Sequence, residues 1–184
     1  MISVAEALER ILAGVSPLGV EQVGLDIAHG RVLAEPAISR LTQPPVAVSS
    51  MDGYAVRAAD VVSVPAVLRR VGEAPAGGSY PHPVKPGECV RIFTGGPVPK
   101  GADAIVIQED TDVEGERVTI RESSVSGRYI RPAGLDFGLG DELIPAGRIL
   151  TARDIGLCAA MNRPSLTVRA RPRVAILSTG DELV

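Results

Sequence analysis

From Pro44-Pro45 to Arg131-Pro132-Ala133-Gly134 the chain never sustains an apolar run long enough for a packed helix. Its apolar stretches, Ala66 to Val71, Glu88 to Phe93, Ala104 to Ile107 and Arg117 to Ile120, are short and separated by Gly and Pro. That is the pattern of strands joined by turns. Between the last two stretches, Val113-Glu114-Gly115-Glu116-Arg117 supplies a turn, because Gly115 takes positive φ at no steric cost. A hairpin is the simplest geometry there, and the region is expected to be a small β domain.

Outside it the period changes. Ser3 and Glu6 form a capping-box pair, and Val4, Leu8, Ile11, Leu12 and Val15 fall on one helical face. Gly14 suits a left-handed C-terminal position, so a helix is predicted from Val4 to about Ala13. Thr151 with Asp154 predicts a second, short amphipathic helix carrying Ile155, Leu157, Cys158 and Met161, ended by Asn162 and Pro164. The fold class expected is α+β and β-rich: residues 1–45 and 133–170 form a discontinuous mixed domain, with a β domain, 46–132, inserted in it. A content of 20 Gly, 15 Pro, three Tyr, two Phe and no Trp fits several modest cores better than one helical bundle.

Residues 171–184 end in Arg173-Val174-Ala175-Ile176-Leu177 followed by Ser178-Thr179-Gly180-Asp181-Glu182-Leu183. An apolar run leading into a polar turn is expected where a buried parallel strand meets its loop. Such a strand needs sheet neighbours, so these residues are expected to open a further α/β domain cut off at Val184.

Several function classes carry no signal. Net charge is -3 and the basic residues are scattered, so no basic footprint for nucleic acid or membrane phosphates is present. Cys89 and Cys158 stand far apart, and His29 and His82 form no helical pair, which gives neither a zinc site nor a disulfide framework. Glu6 and Glu9 fall where a signal peptide needs basic then apolar residues, and no long apolar run follows; a cytoplasmic protein is expected.

Four segments carry chemistry. Ser49-Ser50-Met51-Asp52-Gly53-Tyr54-Ala55 sets hydroxyls beside a carboxylate, able to hold a hard cation or orient a water. It reads equally as an ordinary Asp-Gly turn whose carboxylate accepts local backbone hydrogen bonds. Phe93-Thr94-Gly95-Gly96-Pro97-Val98-Pro99 follows a strand, so the Thr94 hydroxyl and nearby N–H groups are able to approach an oxyanion, or simply to make a sharp exit. Arg128 to Asp136 offers two arginines and a carboxylate, for an anion or for surface ion pairs. The tetrapeptide Gly-Asp-Glu-Leu occurs as Gly140 to Leu143 and as Gly180 to Leu183; only the second follows a strand, where α/β sheets place ligands.

Taken together, Ser50-Met51-Asp52-Gly53-Tyr54-Ala55, Arg91-Ile92-Phe93-Thr94-Gly95-Gly96-Pro97-Val98-Pro99-Lys100-Gly101-Ala102-Asp103-Ala104 and Ser178-Thr179-Gly180-Asp181-Glu182-Leu183 resemble the MoeA family, which includes the gephyrin E domain. The resemblance covers essentially the whole chain but less than half of a usual member. It implies an elongated homodimer in which these two domains precede a pterin-binding α/β domain and a small β domain. The implied reaction inserts molybdenum from molybdate into adenylylated molybdopterin with release of AMP, dependent on a divalent cation. An enzyme that supplies the adenylylated pterin is the implied partner.

By the same resemblance Asp52, Thr94, Asp136 and Glu182 match active-site positions, and Thr94, Gly95, Gly96, Thr179, Gly180 and Asp181 fall in cofactor-binding loops. Carboxylates repel molybdate and phosphoanhydride alike, and Mg2+ on Asp52 and Glu182 would offset this. This chain by itself is expected to be inactive, and to be a monomer or weak dimer. The competing expectations are a scaffold of the gephyrin E type without catalysis, and a small sugar- or phosphate-binding β domain.

Overall fold

A computed structural model describes residues 2–177. By contacts the chain divides into two compact units, one made of the residues up to Arg40 with those from Gly140 on, the other of Leu41–Leu139.

The first unit begins with α1 (Val4–Ala13), whose Ser3 hydroxyl accepts the Glu6 N–H at 3.1 Å. Glu6 pairs with Arg10 one turn on, at 2.7 Å. Gly14 keeps a right-handed φ of -92° instead of the expected left-handed one, because the chain carries on through a further turn in which Val15 N–H bonds Leu12 O. The apolar stripe of α1 is there, but none of its residues is buried. Next come β1 (Val20–Gly24), the single turn α2 (Leu25–Ala28) and β2 (Ala37–Ile38). After the eight strands of the second unit, described below, follow β11 (Glu142–Ile144), α3 (Ala152–Ala160) and β12 (Ser165–Arg169). β1 pairs antiparallel with β12, and β2 with β11. The core here is Val23, Ala28, Leu33, Ile144, Leu150, Cys158, Met161, Leu166 and Val168.

The start of α3 is a complete capping box: Thr151 accepts from Asp154 N–H and Asp154 accepts from Thr151 N–H at 2.8 Å. Burial pushes the Asp154 carboxyl up, but the Thr151 N–H, the Arg148 guanidinium and the Thr151 hydroxyl outweigh it and hold the pKa below its ordinary value. A lowered folded pKa means that this stabilisation is complete above the ordinary carboxylate range and is lost as pH falls through the folded value. Thr151→Ala is therefore expected to lower the unfolding free energy by about 1 kcal/mol at neutral pH, read from urea denaturation.

The second unit holds β3 (Val48–Ser49), β4 (Gly53–Val56), β5 (Ala66–Ala74), β6 (Glu88–Ile92), β7 (Ala104–Ile107), β8 (Thr111–Glu114), β9 (Arg117–Ile120) and β10 (Ile130–Arg131). Six of them make one sheet in the order β7-β4-β6-β5-β9-β8, antiparallel except for the parallel pair β5 and β6. Successive side chains in a strand point to opposite faces. Accordingly Tyr54, Val56, Cys89, Ala104 and Val106 build one core with Leu68, Val118 and Ile120, while Ala55, Val90, Ile92 and Ile105 build another with Ala74 and Val84. Strands β4, β6 and β7 are thus sandwiched, which is why they read as near-continuous apolar runs. The turn predicted at Gly115 is present, with φ at 61°, between β8 and β9. Both thiols are free and buried, and desolvation pushes the Cys89 pKa up to about 12.

Arg173 to Leu177, the described part of the expected last strand, joins no ladder among the described residues, and Val174, Ile176 and Leu177 are exposed. Thr179, Gly180, Asp181 and Glu182 lie outside the described residues. No helix among the described residues is long and apolar enough to cross a membrane.

Candidate functional site

The Asp52 turn and the Thr94 turn meet because β4 and β6 are neighbours: Gly53 is registered with Ile92, Tyr54 with Arg91. Asp52 sits just before β4 and Thr94 just after β6. Both the N–H and the hydroxyl of Thr94 donate to the same oxygen, Asp52 Oδ1, each at 2.8 Å across 42 residues of sequence. The local alternative, in which Asp52 closes its own turn, is realised by another residue: Ser49 donates its hydroxyl to Met51 O at 2.6 Å.

Those two Thr94 bonds, the backbone one foremost, hold the exposed Asp52 carboxyl below the usual carboxylate range, with the Arg91 charge helping. Hydrogen bonds to the charged form favour it. Asp52 therefore stays ionised at neutral pH, and what it adds to stability is retained until pH falls through its lowered pKa. Its second oxygen, Oδ2, accepts no hydrogen bond among the described residues.

The backbone around Thr94 departs from the oxyanion nest expected. Thr94 N–H is committed to Asp52, Gly95 N–H donates to Ser49 O at 2.8 Å, and Gly96 N–H to Phe93 O at 2.8 Å. All three donors serve protein acceptors, so the loop orients Asp52 instead of presenting an open cradle. The close approach this needs explains Gly96, where a Cβ would lie 2.4 Å from Ala74 O.

A second set of contacts ties in the segment 128–136. β10 pairs with β3, and Tyr129 O accepts both donors of Ser50, the N–H at 2.9 Å and the hydroxyl at 3.0 Å. Tyr129 does so at φ 58°, a left-handed conformation uncommon for an aromatic residue. The two arginines expected to face an anion are engaged within the protein. Arg131 pairs with Asp136 at 2.9 Å, and Arg128 stacks on Tyr129 at 5.0 Å and donates to Ser123 O. Asp52 and Thr94 are thus brought into contact, whereas Asp136 is held by Arg131. Among the described residues no three His, Cys, Asp or Glu side chains gather as a metal cluster.

Arg91, quoted above only as part of a motif, and Gln108 were given no role from the sequence. Arg91 donates to Gly53 O at 3.1 Å and to Gln108 Oε1 at 2.6 Å, with its guanidinium over the Phe93 and Tyr54 rings at 4.8 and 5.4 Å. The available signal was the charge itself: an arginine inside Cys89-Val90-Arg91-Ile92-Phe93 implies a dedicated partner.

A family model for the MoeA N-terminal region (domain I and II) matches residues 2–162. A protein of a Nostoc species named molybdopterin molybdenumtransferase is 44% identical over 168 residues, 89% of this chain and 38% of its own length. Molybdopterin molybdenumtransferase 2 of Mycobacterium tuberculosis is 39% identical over 88% of this chain and 41% of its own. Among solved structures, the molybdopterin biosynthesis moeA protein of Pyrococcus horikoshii superposes with a TM-score of 0.89 at 30% identity, covering 94% of this chain and 47% of that one. The chain spans less than half the length of these relatives.

Proposed function

Since the chain belongs to the MoeA N-terminal family, we propose that it supplies one carboxylate-bearing half of a molybdenum-insertion site in a molybdopterin molybdenumtransferase. The substrates are molybdate and adenylylated molybdopterin, and the products are molybdenum cofactor and AMP. The observation that carries this reading is the pair of Thr94 bonds to Asp52 Oδ1, which fix an ionised carboxylate at the surface while Oδ2 accepts no hydrogen bond among the described residues.

Here the carboxylate is tied to a hydroxyl and an N–H from a turn 42 residues away in sequence. Such fixing is what general-base or ligand work requires. Asp52 Oδ2 is a hard oxygen suited to Mg2+, with Glu182, outside the described residues, as the second ligand. When bound, the cation supplies Lewis-acid polarisation and offsets the repulsion between Asp52 and the anionic substrates. The chain's own part is narrower. Asp52 Oδ2 accepts a proton or holds a water at a fixed place, Thr94 keeps that carboxylate oriented, and Gly95 and Gly96 let the loop come close. Asp136 keeps Arg131 in place beside β3, and Thr179, Gly180 and Asp181, outside the described residues, are the further positions assigned to pterin binding.

The working protein is a cytoplasmic homodimer fed by the enzyme that adenylylates the pterin, and the 184-residue chain alone is inactive. The test uses the protein carrying this chain at its relatives' full length, given adenylylated molybdopterin, molybdate and Mg2+. AMP release coupled to activation of a molybdenum-free apoenzyme is expected. Pterin binding with no AMP release would instead favour a scaffold.

A further inference from the structure

Two contacts reach the peptide units beside Asp52, and two more involve the residues that make them. Arg91 Nη1 donates to Gly53 O at 3.1 Å and Arg91 Nη2 to Gln108 Oε1 at 2.6 Å, while Gln108 N–H donates to Asp52 O at 3.1 Å. The fourth is the guanidinium resting on Phe93, the residue before Thr94. Two consecutive carbonyls, those of Asp52 and Gly53, are therefore held by one bracket, whose arginine belongs to β6, the strand that leads to Thr94.

We propose that Arg91 and Gln108 act as a pair of positioning residues that set the Asp52–Thr94 contact, and through it the insertion chemistry; the second part rests on the function proposed above. Three arguments support it. First, β4 and β6 are already held by their ladder and by apolar residues on both faces, so the strands do not need Arg91 to pair. Second, Arg91 is half-buried between the fully buried Val90 and Ile92, where unused donors are costly, and two of its donors reach backbone and amide oxygens of the Asp52 side of the site. Third, the planar fork matters: a guanidinium bonds two differently placed acceptors while stacking on a ring, whereas an ammonium makes a point contact. Gln108 is exposed and belongs to neither core, and its side chain accepts from Arg91 at 2.6 Å while donating to Glu109 at 3.3 Å.

The experiment separates geometry from chemistry. On this chain, Arg91→Met, Arg91→Lys and Gln108→Leu are followed by amide hydrogen exchange. In Arg91→Met and Gln108→Leu the Thr94 N–H is expected to exchange about fivefold faster, while amides of β4 and β6 stay within about twofold of the parent. Arg91→Lys should fall between. In the protein of the relatives' length, Arg91→Met should lower kcat roughly tenfold with KM for molybdate nearly unchanged, partly restored by Arg91→Lys.

Unchanged Thr94 exchange in both Arg91→Met and Gln108→Leu overturns the proposal. So does loss of β4 and β6 protection in both, since Arg91 and Gln108 would then be general sheet supports. If Thr94 exchange rises but kcat does not change, the bracket stands as geometry and its link to the insertion chemistry is lost. Wild-type turnover by Asp52 variants bears only on the proposed function, because the exchange measurement needs no substrate.

Discussion

In the protein of the relatives' full length, Asp52→Asn is expected to slow cofactor formation at limiting molybdate by about a hundredfold or more, the usual weight of a positioned acid-base group. Asparagine keeps the shape of the side chain and an oxygen able to accept both Thr94 bonds, so the turn should survive. What it removes is the negative charge that those bonds and Arg91 stabilise. If the carboxylate served only to close the turn, Asn would serve nearly as well. Reconstitution of a molybdenum-free apoenzyme as a function of molybdate, with pterin binding measured separately, distinguishes the two. Pterin affinity should be largely retained, and molybdate saturation should shift if Asp52 also holds the cation. An insertion rate equal to that of the parent would remove Asp52 from the chemistry.

Much of this was legible beforehand, and the reason is local. Thr151 and Asp154 encode a cap within four residues, and α3 begins where they place it. The runs at 88 to 93 and 104 to 107 form strands because their residues fill both faces of a sheet, so no polar alternation was needed to recognise them. The six-stranded order was not legible. The parallel pairing of β5 with β6 depends on where the Pro- and Gly-rich loop between them returns, which no short-range period records. The same limit applied to the site. Asp52 and Thr94 were singled out, but their contact is a product of strand order, as is the commitment of the Thr94 to Gly96 N–H groups to protein acceptors. Arg91 was overlooked because its partners, Gly53 O and Gln108, lie on other strands and turns.

Gly53→Ala is expected to be the most destabilising single-methyl addition near the site. A Cβ built on Gly53 would lie 2.0 Å from Val106 O and 2.9 Å from both Val106 C and Ile107 Cα, all backbone atoms. Flexible side chains yield to such an intrusion, but these atoms belong to β7. Gly53 is buried, and β4 is hydrogen-bonded to β7 on one side and β6 on the other, so the strand cannot retreat without breaking a ladder. Overpacking of this kind costs about 3 kcal/mol, at the upper end of the usual range. The midpoint of urea denaturation should fall accordingly. Gly19→Ala is the control, since nothing lies within 4 Å of its added methyl, and surface changes of that type stay within about 0.5 kcal/mol. The consequence reaches the site as well. Gly53 O accepts from Arg91, and Asp52 O from Gln108, so a displaced Gly53 should also speed Thr94 amide exchange at urea concentrations where the chain is still folded. Equal midpoints for the Gly53 and Gly19 variants would show that the approach of β7 to Gly53 constrains neither the sheet nor the carboxylate it presents.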